Sequence, residues 1–413
     1  MNLKNIIAIL SLLSIELKVF ASPINDMISE GETSVVEILD AEVSDDAYET
    51  INVDSAIEDA NDETDSDLET ADLPTDIVNE DIWDLPCDNF YSCMDWVREN
   101  KQMIGYSDEF IEYMIEQYKD GKSVELIHQY KSINYGTKVD IDGHLMNVDI
   151  KGKNNEKTIV LLPGLGMQSP VLFYEDIAES LSTDYKIITI EPFGYGLSDQ
   201  VSEERTVENI VSEIHTCLQK LGIQQYYLMG HSIGGIYSLV FDDKYPNEVL
   251  GFIGLDNTPN NFEFKDFAPT PEALTPFIRI AYKYQLLALY PEEVTGNIQL
   301  FMSMLKTYQD RTEEDLKNIE VILKYTNYSP NVINESDHVI DNMDFTKDMK
   351  FHCPALMFIA TESIEQDENW EALHQAMIAN PDHSEVKKVE ATHAFIFSQN
   401  KELITKSIKE WIN

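Results

Sequence analysis

Ser232 lies in Gly230-His231-Ser232-Ile233-Gly234, after the apolar run Tyr226 to Met229 and before a helical pattern, Ile233 to Tyr245. A serine between a strand and a helix must occupy a sharp turn, and small residues two positions to either side let the backbones pass. Such a turn holds the hydroxyl out of the sheet, which makes Ser232 a candidate nucleophile. The pentapeptide alone is common, so the reading depends on partners elsewhere in the chain. A serine hydroxyl is a poor nucleophile at neutral pH, and acyl transfer needs a base to take its proton and donors to stabilise the oxyanion. Pro163-Gly164-Leu165-Gly166 directly follows the apolar run Thr158 to Leu162 and points to the backbone N–H groups of Leu165 and Ile233 as those donors. The base is expected on a loop after a late strand. His393 alone among the nine histidines follows such a run, Glu385 to Glu390, shortly before a C-terminal helical pattern, Lys401 to Ile412. His231 adjoins the serine but is expected to point away from it, and the remaining histidines read as surface or packing residues.

These residues need a scaffold. Short apolar runs at Thr158 to Leu162, Lys186 to Glu191, Tyr226 to Met229, Leu250 to Leu255 and Ala355 to Ala360, with a weaker one at Glu385 to Glu390, mostly alternate with helical patterns. Those patterns occupy Val171 to Ser180, Thr206 to Leu221, Ile233 to Tyr245, Trp370 to Ala379 and Lys401 to Ile412. The alternation predicts an α/β fold, a mostly parallel central sheet covered by helices on both faces. Lys138 to Ile141 and His144 to Ile150, separated by Asp142-Gly143, predict a hairpin ahead of it. Pro259 to Lys350 is far longer than a parallel crossover requires, and its helical patterns rich in Phe, Tyr, Leu and Met predict a cap over the C-terminal edge of the sheet. Asn327 and Asn334 within it stand in Asn-x-Ser sequences, acceptors only in a host that glycosylates secreted proteins. Residues 86–135 read as a helical extension, with Phe110, Ile111, Met114, Ile115 and Tyr118 on one face and Gly121 as a stop. The α/β domain is expected over 136–413, with the cap at about 259–350.

The net charge is −46, and Ser22 to Leu85 holds 22 of the 75 acidic residues with no Lys or Arg. That segment has too few apolar side chains to offset its chain entropy and reads as disordered. An acidic surface disfavours nucleic acid and anionic lipid as partners. Residues 1–21, with lysines flanking Ile6 to Leu13 and Val19-Phe20-Ala21 at the end, read as a signal peptide; the alternative is an uncleaved anchor. No later stretch is apolar and long enough to span a membrane, so the expected product is secreted. Cys87 and Cys93 could bridge in an oxidising compartment, whereas Cys217 and Cys353 read as buried thiols. No HExxH, CxxC or carboxylate cluster suggests a metal, and no cofactor is expected.

The GHSIGG turn, the Pro-Gly-Leu-Gly turn and Glu191-Pro-Phe-Gly-Tyr-Gly-Leu-Ser-Asp199 together resemble the α/β-hydrolase superfamily over about Asp142 to Asn413. Pro163 departs from the histidine usual before the oxyanion glycine, and Glu191 replaces the usual Asp of a DxxGxGxS loop. The resemblance implies nucleophile, acid and histidine in that chain order, and leaves two carboxylates for the acid. The usual register after the strand Ala355 to Ala360 gives Ser363, which cannot orient a histidine. Asp256, at the end of Leu250 to Leu255, is a position some members use and is the preferred acid; Glu362, one residue out of register, is the alternative, with Glu365 and Asp367 more remote. The implied activity is hydrolysis of a small-molecule carboxylic ester through an acyl-enzyme. Ser232 in place of an aspartate argues against the epoxide-hydrolase and dehalogenase branches. A peptidase or amidase of the same fold, or a non-catalytic binding protein on that scaffold, are the alternatives. A dinucleotide site built on Gly164-x-Gly166-x-x-Ser169 leaves Ser232 and His393 without a role.

Overall fold

The structure, a computed structural model, describes residues 84–263, 269–291 and 296–412. The expected leader over 1–21 and nearly all of the acidic segment over 22–85 lie outside the described residues. Eight strands among the described residues form one sheet: β1 Thr137–Ile141, β2 His144–Lys151, β3 Thr158–Leu162, β4 Lys186–Glu191, β5 Tyr226–His231, β6 Val249–Leu255, β7 Ala355–Ala360 and β8 Glu385–Val389. Their order is β1-β2-β4-β3-β5-β6-β7-β8. β1 pairs antiparallel with β2 and β2 with β4, while every later pair is parallel. β1 and β2 are joined by the two residues Asp142-Gly143, both at positive φ (53° and 96°), whose twist suits a hairpin.

All five residues of β3 are buried, as a central strand covered on both sides requires. Alternation along it feeds two cores, Ile159 and Leu161 on one face, Val160 and Leu162 on the other. On the first face lie the helices Glu175–Ser182 and Lys401–Ile412; on the second, Val207–Lys220 and Gly234–Lys244. The helix expected as a single span from Val171 is two, Pro170–Phe173 and Glu175–Ser182, with Tyr174 at the break. A short helix after β7, Thr361–Gln366, carries no apolar periodicity in the sequence and was not expected there. None of the described helices is long and apolar enough to cross a membrane.

The insertion between β6 and β7 is helical, with Thr275–Lys283, Gly296–Tyr308, Glu313–Thr326, Pro330–Asp337 and Val339–Thr346. The N-terminal helices Phe90–Glu99, Asp108–Lys119 and Lys122–Ser132 pack against it. Phe90 is 1% exposed, stacks on Tyr118 at 3.5 Å between centroids and meets Tyr284 edge-on. Tyr130 stacks on Tyr325 at 3.6 Å, and Ser123 Oγ donates to the Tyr284 carbonyl at 2.7 Å. Cys87 and Cys93 form a disulfide at the start of this extension, and Cys217 and Cys353 are buried free thiols. Neither Asn-x-Ser asparagine is a free acceptor. Asn327 is buried, and Asn334 accepts from the Arg205 N–H and donates to Glu204.

The extension therefore buttresses the insertion, and truncating its central ring tests that docking. Phe90→Ala is expected to lower unfolding free energy by about 3–5 kcal/mol in urea titrations; a loss under about 1 kcal/mol contradicts the described packing.

Candidate active site

Ser232 sits where β5 turns into the helix Gly234–Lys244, at φ 51°, and is 1% exposed. The turn is tight enough that a Cβ at Gly230 would lie 2.7 Å from the Gly234 backbone, and one at Gly234 would lie 2.8 Å from the Leu162 carbonyl oxygen. Larger residues at either place would force strand and helix apart. At the end of β6, Asp256 takes a similar backbone, φ 44°. The two turns are tied together: the Ser232 N–H donates to the Leu255 carbonyl at 3.4 Å, and the Thr258 N–H to the Ser232 carbonyl at 2.8 Å.

His393 follows β8 and bridges them. Its Nε2 lies 3.1 Å from Ser232 Oγ, and its Nδ1 lies 2.7 Å from Asp256 Oδ2. The Asp256 carboxylate is fully buried and accepts three further bonds, from the Ala360 N–H (2.9 Å), Trp370 Nε1 (2.9 Å) and Ser363 Oγ (2.5 Å). Burial alone would raise its pKa. The hydrogen bond and charge of His393, with the bonds from Ser363 and Ala360, outweigh it and hold the carboxyl below its ordinary value.

Ser363, at the register position where the resembled family usually has its acid, donates to Asp256. Glu362 meets a different part of His393, since its Oε2 accepts the backbone N–H at 2.7 Å and leaves the ring to Asp256. Glu365 is exposed, and Asp367 accepts the Asn369 N–H, so neither is engaged with the imidazole. Among the hydrogen bonds of the described residues, neither the Leu165 nor the Ile233 N–H donates, and both residues adjoin Ser232 in sequence or across the cavity.

Two tyrosines, which nothing in the sequence pattern marks, hold the turn that carries Leu165. Tyr174, at the break between two helices, accepts the Gly164 N–H at 3.3 Å, and Tyr195 accepts the Gly166 N–H at 3.0 Å. Both glycine N–H groups are thus occupied, with that of Leu165 left between them. Tyr195 sits on the loop after β4, and its hydroxyl also bonds the buried Glu335 of the insertion. The loop wraps around Glu191, whose carboxyl accepts from the Leu197 N–H (2.8 Å), Asn147 (2.9 Å), Tyr135 (2.8 Å) and the Val171 N–H (3.3 Å). Burial pushes this carboxyl up to about 7, against the pull of those bonds. A Cβ at Gly196 would collide with the carboxyl at 2.0 Å, so the chain closes over Glu191 only with glycine there.

His231 is more than a packing residue. Its Nε2 lies 3.0 Å from the carbonyl of His393 and its Nδ1 lies 3.0 Å from the Tyr174 hydroxyl. Burial, then the charge of His393, pushes its pKa down to about 3, so the ring is neutral. Nε2–H must then donate to the His393 carbonyl, and Nδ1 accepts from the Tyr174 O–H. That order leaves the Tyr174 oxygen free to accept from Gly164 and joins the Gly164–Gly166 turn to the His393 loop.

A cavity of about 70 Å³ opens on Ser232 and His393. The insertion contributes Ile298 and Phe301 from one helix, Ile319 and Leu323 from another, and Asn327. Leu165, Met167 and Phe173 continue this apolar lining, and Gln168 interrupts it.

A family model described as the alpha/beta hydrolase fold matches residues 157–398, more than half of the chain, and the chain belongs to that family. Its relatives include hydrolases. YbdG of Bacillus subtilis, itself uncharacterised, is 33% identical over 122 residues, 29% of this chain and 37% of YbdG. The 3-oxoadipate enol-lactonase 1 of Acinetobacter baylyi is 29% identical over 97 residues, 24% of this chain and 35% of the lactonase. The matched stretches thus span little more than a third of these relatives' own length. Among solved structures, Cfl2 of Burkholderia cenocepacia superposes with a TM-score of 0.52 at 14% identity, covering 67% of this chain and 95% of Cfl2, a likeness of fold alone.

The neutral His231 ties stability to pH with a definite sign. Its pKa is 6.5 in an ordinary setting and about 3 here. The stabilising contribution is complete above the first value and is lost as pH falls toward the second. The difference in unfolding free energy between wild type and His231→Gln should therefore shift against the wild type by more than about 1 kcal/mol between pH 6.5 and 4.5. A pH-independent difference in urea titrations contradicts the neutral assignment.

Proposed function

We propose that this chain hydrolyses carboxylic esters through an acyl-enzyme on Ser232. The observation that carries the reading is the unbroken path from Ser232 Oγ through His393 to Asp256, at 3.1 and 2.7 Å. His393 Nε2 takes the hydroxyl proton as Oγ attacks the carbonyl carbon, and the negative charge gathers on the former carbonyl oxygen. The N–H groups of Leu165 and Ile233 receive that charge, while Asp256 keeps Nδ1–H directed at itself and stabilises the imidazolium. His393 returns the proton to the leaving alcohol. It then takes one from water, whose attack on the acyl-enzyme releases the acid and restores Ser232. Esters suit this site better than amides because an alkoxide needs less protonation to leave. Likeness to a protein named as a lactonase supports an ester substrate.

A cavity of about 70 Å³ holds roughly five water-sized groups, which favours a short acyl chain. The disulfide Cys87–Cys93 supports action outside the cytoplasm, since such bonds persist in oxidising compartments.

A fluorophosphonate probe is expected to label the native protein at Ser232 and leave Ser232→Ala unlabelled. With p-nitrophenyl esters, kcat/KM for the acetate or butyrate should exceed that for the dodecanoate by at least roughly tenfold. Absence of label on the folded native protein, or equal label on the variant, contradicts the nucleophile; preference for the dodecanoate contradicts the compact pocket.

A further inference from the structure

Gln168 is 2% exposed and lines the cavity beside Ser232 and His393. Its backbone carbonyl accepts the Gly196 N–H at 2.6 Å, which fixes the residue between the oxyanion turn and the loop over Glu191. Its side chain is in a different state. Both the carboxamide oxygen and the carboxamide nitrogen are buried without a hydrogen-bond partner. Among the described residues it is the one carboxamide buried at both polar atoms without a partner, whereas Asn147, Asn257 and Asn260 lack one only at the oxygen and donate through the nitrogen. Buried polar groups without partners are costly, and a native fold rarely keeps two on one side chain unless something else completes them. Around Ser232, an apolar wall of Leu165, Met167, Phe173, Ile298 and Phe301 offers no substitute.

Charge narrows what could complete it. The residues lining the cavity include no Lys, Arg, Asp or Glu, so an ionised group entering there would lose its hydration with no opposite charge to meet. A neutral group remains. A carboxamide offers an acceptor oxygen and two donor hydrogens in one plane, and a primary amide or a urea engages an acceptor and a donor together through two parallel N–H···O bonds.

We propose that Gln168 is a specificity-determining residue that binds a neutral primary amide or urea group in the acyl portion of the substrate, a short distance from the scissile carbonyl. Gln168 Nε2–H donates to the substrate's amide oxygen, and the substrate's N–H donates to Gln168 Oε1. The rest of the acyl group occupies the apolar wall. The inference rests on the esterase reading for the position of the scissile carbonyl at Ser232. A purely alkyl acyl chain of the same shape leaves both carboxamide atoms unpaired and is a poorer substrate for that reason.

Matched esters test it. Methyl malonamate and methyl succinamate carry a primary amide, and methyl 3-methylbutanoate and methyl 4-methylpentanoate replace it with an isopropyl group of the same shape. The amide-to-alkyl ratio of kcat/KM, corrected for the enzyme-free rate, is expected to fall at least roughly tenfold in Gln168→Leu for one or both pairs. Equal losses on both members of each pair, or an unchanged ratio, overturn the proposal. Should the wild type cleave none of the four esters, the serine reading still stands or falls on the fluorophosphonate label at Ser232. Calorimetric binding to Ser232→Ala then decides the recognition role separately. Tighter binding of an amide ester than of its alkyl partner, lost in Ser232→Ala with Gln168→Leu, supports the proposal; equal or undetectable binding of the two overturns it.

Discussion

Four donors converge on the Asp256 carboxylate, and the position of His393 depends on that convergence. The Ala360 N–H comes from the end of β7, Ser363 from the helix that follows it, Trp370 from the next helix and His393 from the loop after β8. A buried charge is tolerated only when such bonds replace its lost hydration. With the carboxylate fixed, one of the imidazole nitrogens faces it and the other is left for Ser232. Glu362 and His231 hold the backbone of His393 from either side, one accepting its N–H and the other donating to its carbonyl. Ring and backbone are thus restrained by different partners.

Backbone strain accompanies this arrangement. Ser232 and Asp256 both adopt the left-handed region, at 51° and 44°, where non-glycine residues are uncommon. Strain of about 1–3 kcal/mol at such a residue persists only where the surroundings hold it. Here the two turns occupy the ends of neighbouring parallel strands and bond across to each other and to β7, where the Asp256 N–H meets the Phe358 carbonyl. The sheet core beneath, with Leu228, Met229, Ile253 and Phe358 fully buried, supplies the rigid base. Beside it, the tyrosines at 174 and 195 anchor the facing turn to His231 and to Glu335, so a shift of the insertion would be felt at Gly166.

Much of this was legible in the sequence, because chain-local signals set it. The strand bounds at Thr158, Lys186 and Ala355 follow from continuous apolar runs, and Ser232 from the glycines on either side of it. His393 was legible from its place after the last run. The carboxylate was not fixed by the same means: Asp256 and Glu362 both stand just past a strand, and only folding reveals which reaches the ring and which reaches the backbone. Ser363, which looked like a lost acid, became a donor to the acid. Tyr174, Tyr195 and Gln168 leave no trace in periodicity, since turns bring their polar atoms into place, and the bonds of His231 to Tyr174 and to the His393 carbonyl escape the sequence for the same reason. The helix break at Tyr174 was missed because Val171 to Ser180 keeps an apolar spacing across it.

In the proposed mechanism Asp256 orients His393 while Glu362 shapes only its loop, and kcat for Asp256→Asn and Glu362→Gln on a p-nitrophenyl ester of a short acid separates the two roles. A loss on the order of 10⁴-fold is expected for Asp256→Asn and a far smaller one for Glu362→Gln. A loss of that size in Glu362→Gln with Asp256→Asn retaining activity, or equally small losses in both, would contradict it.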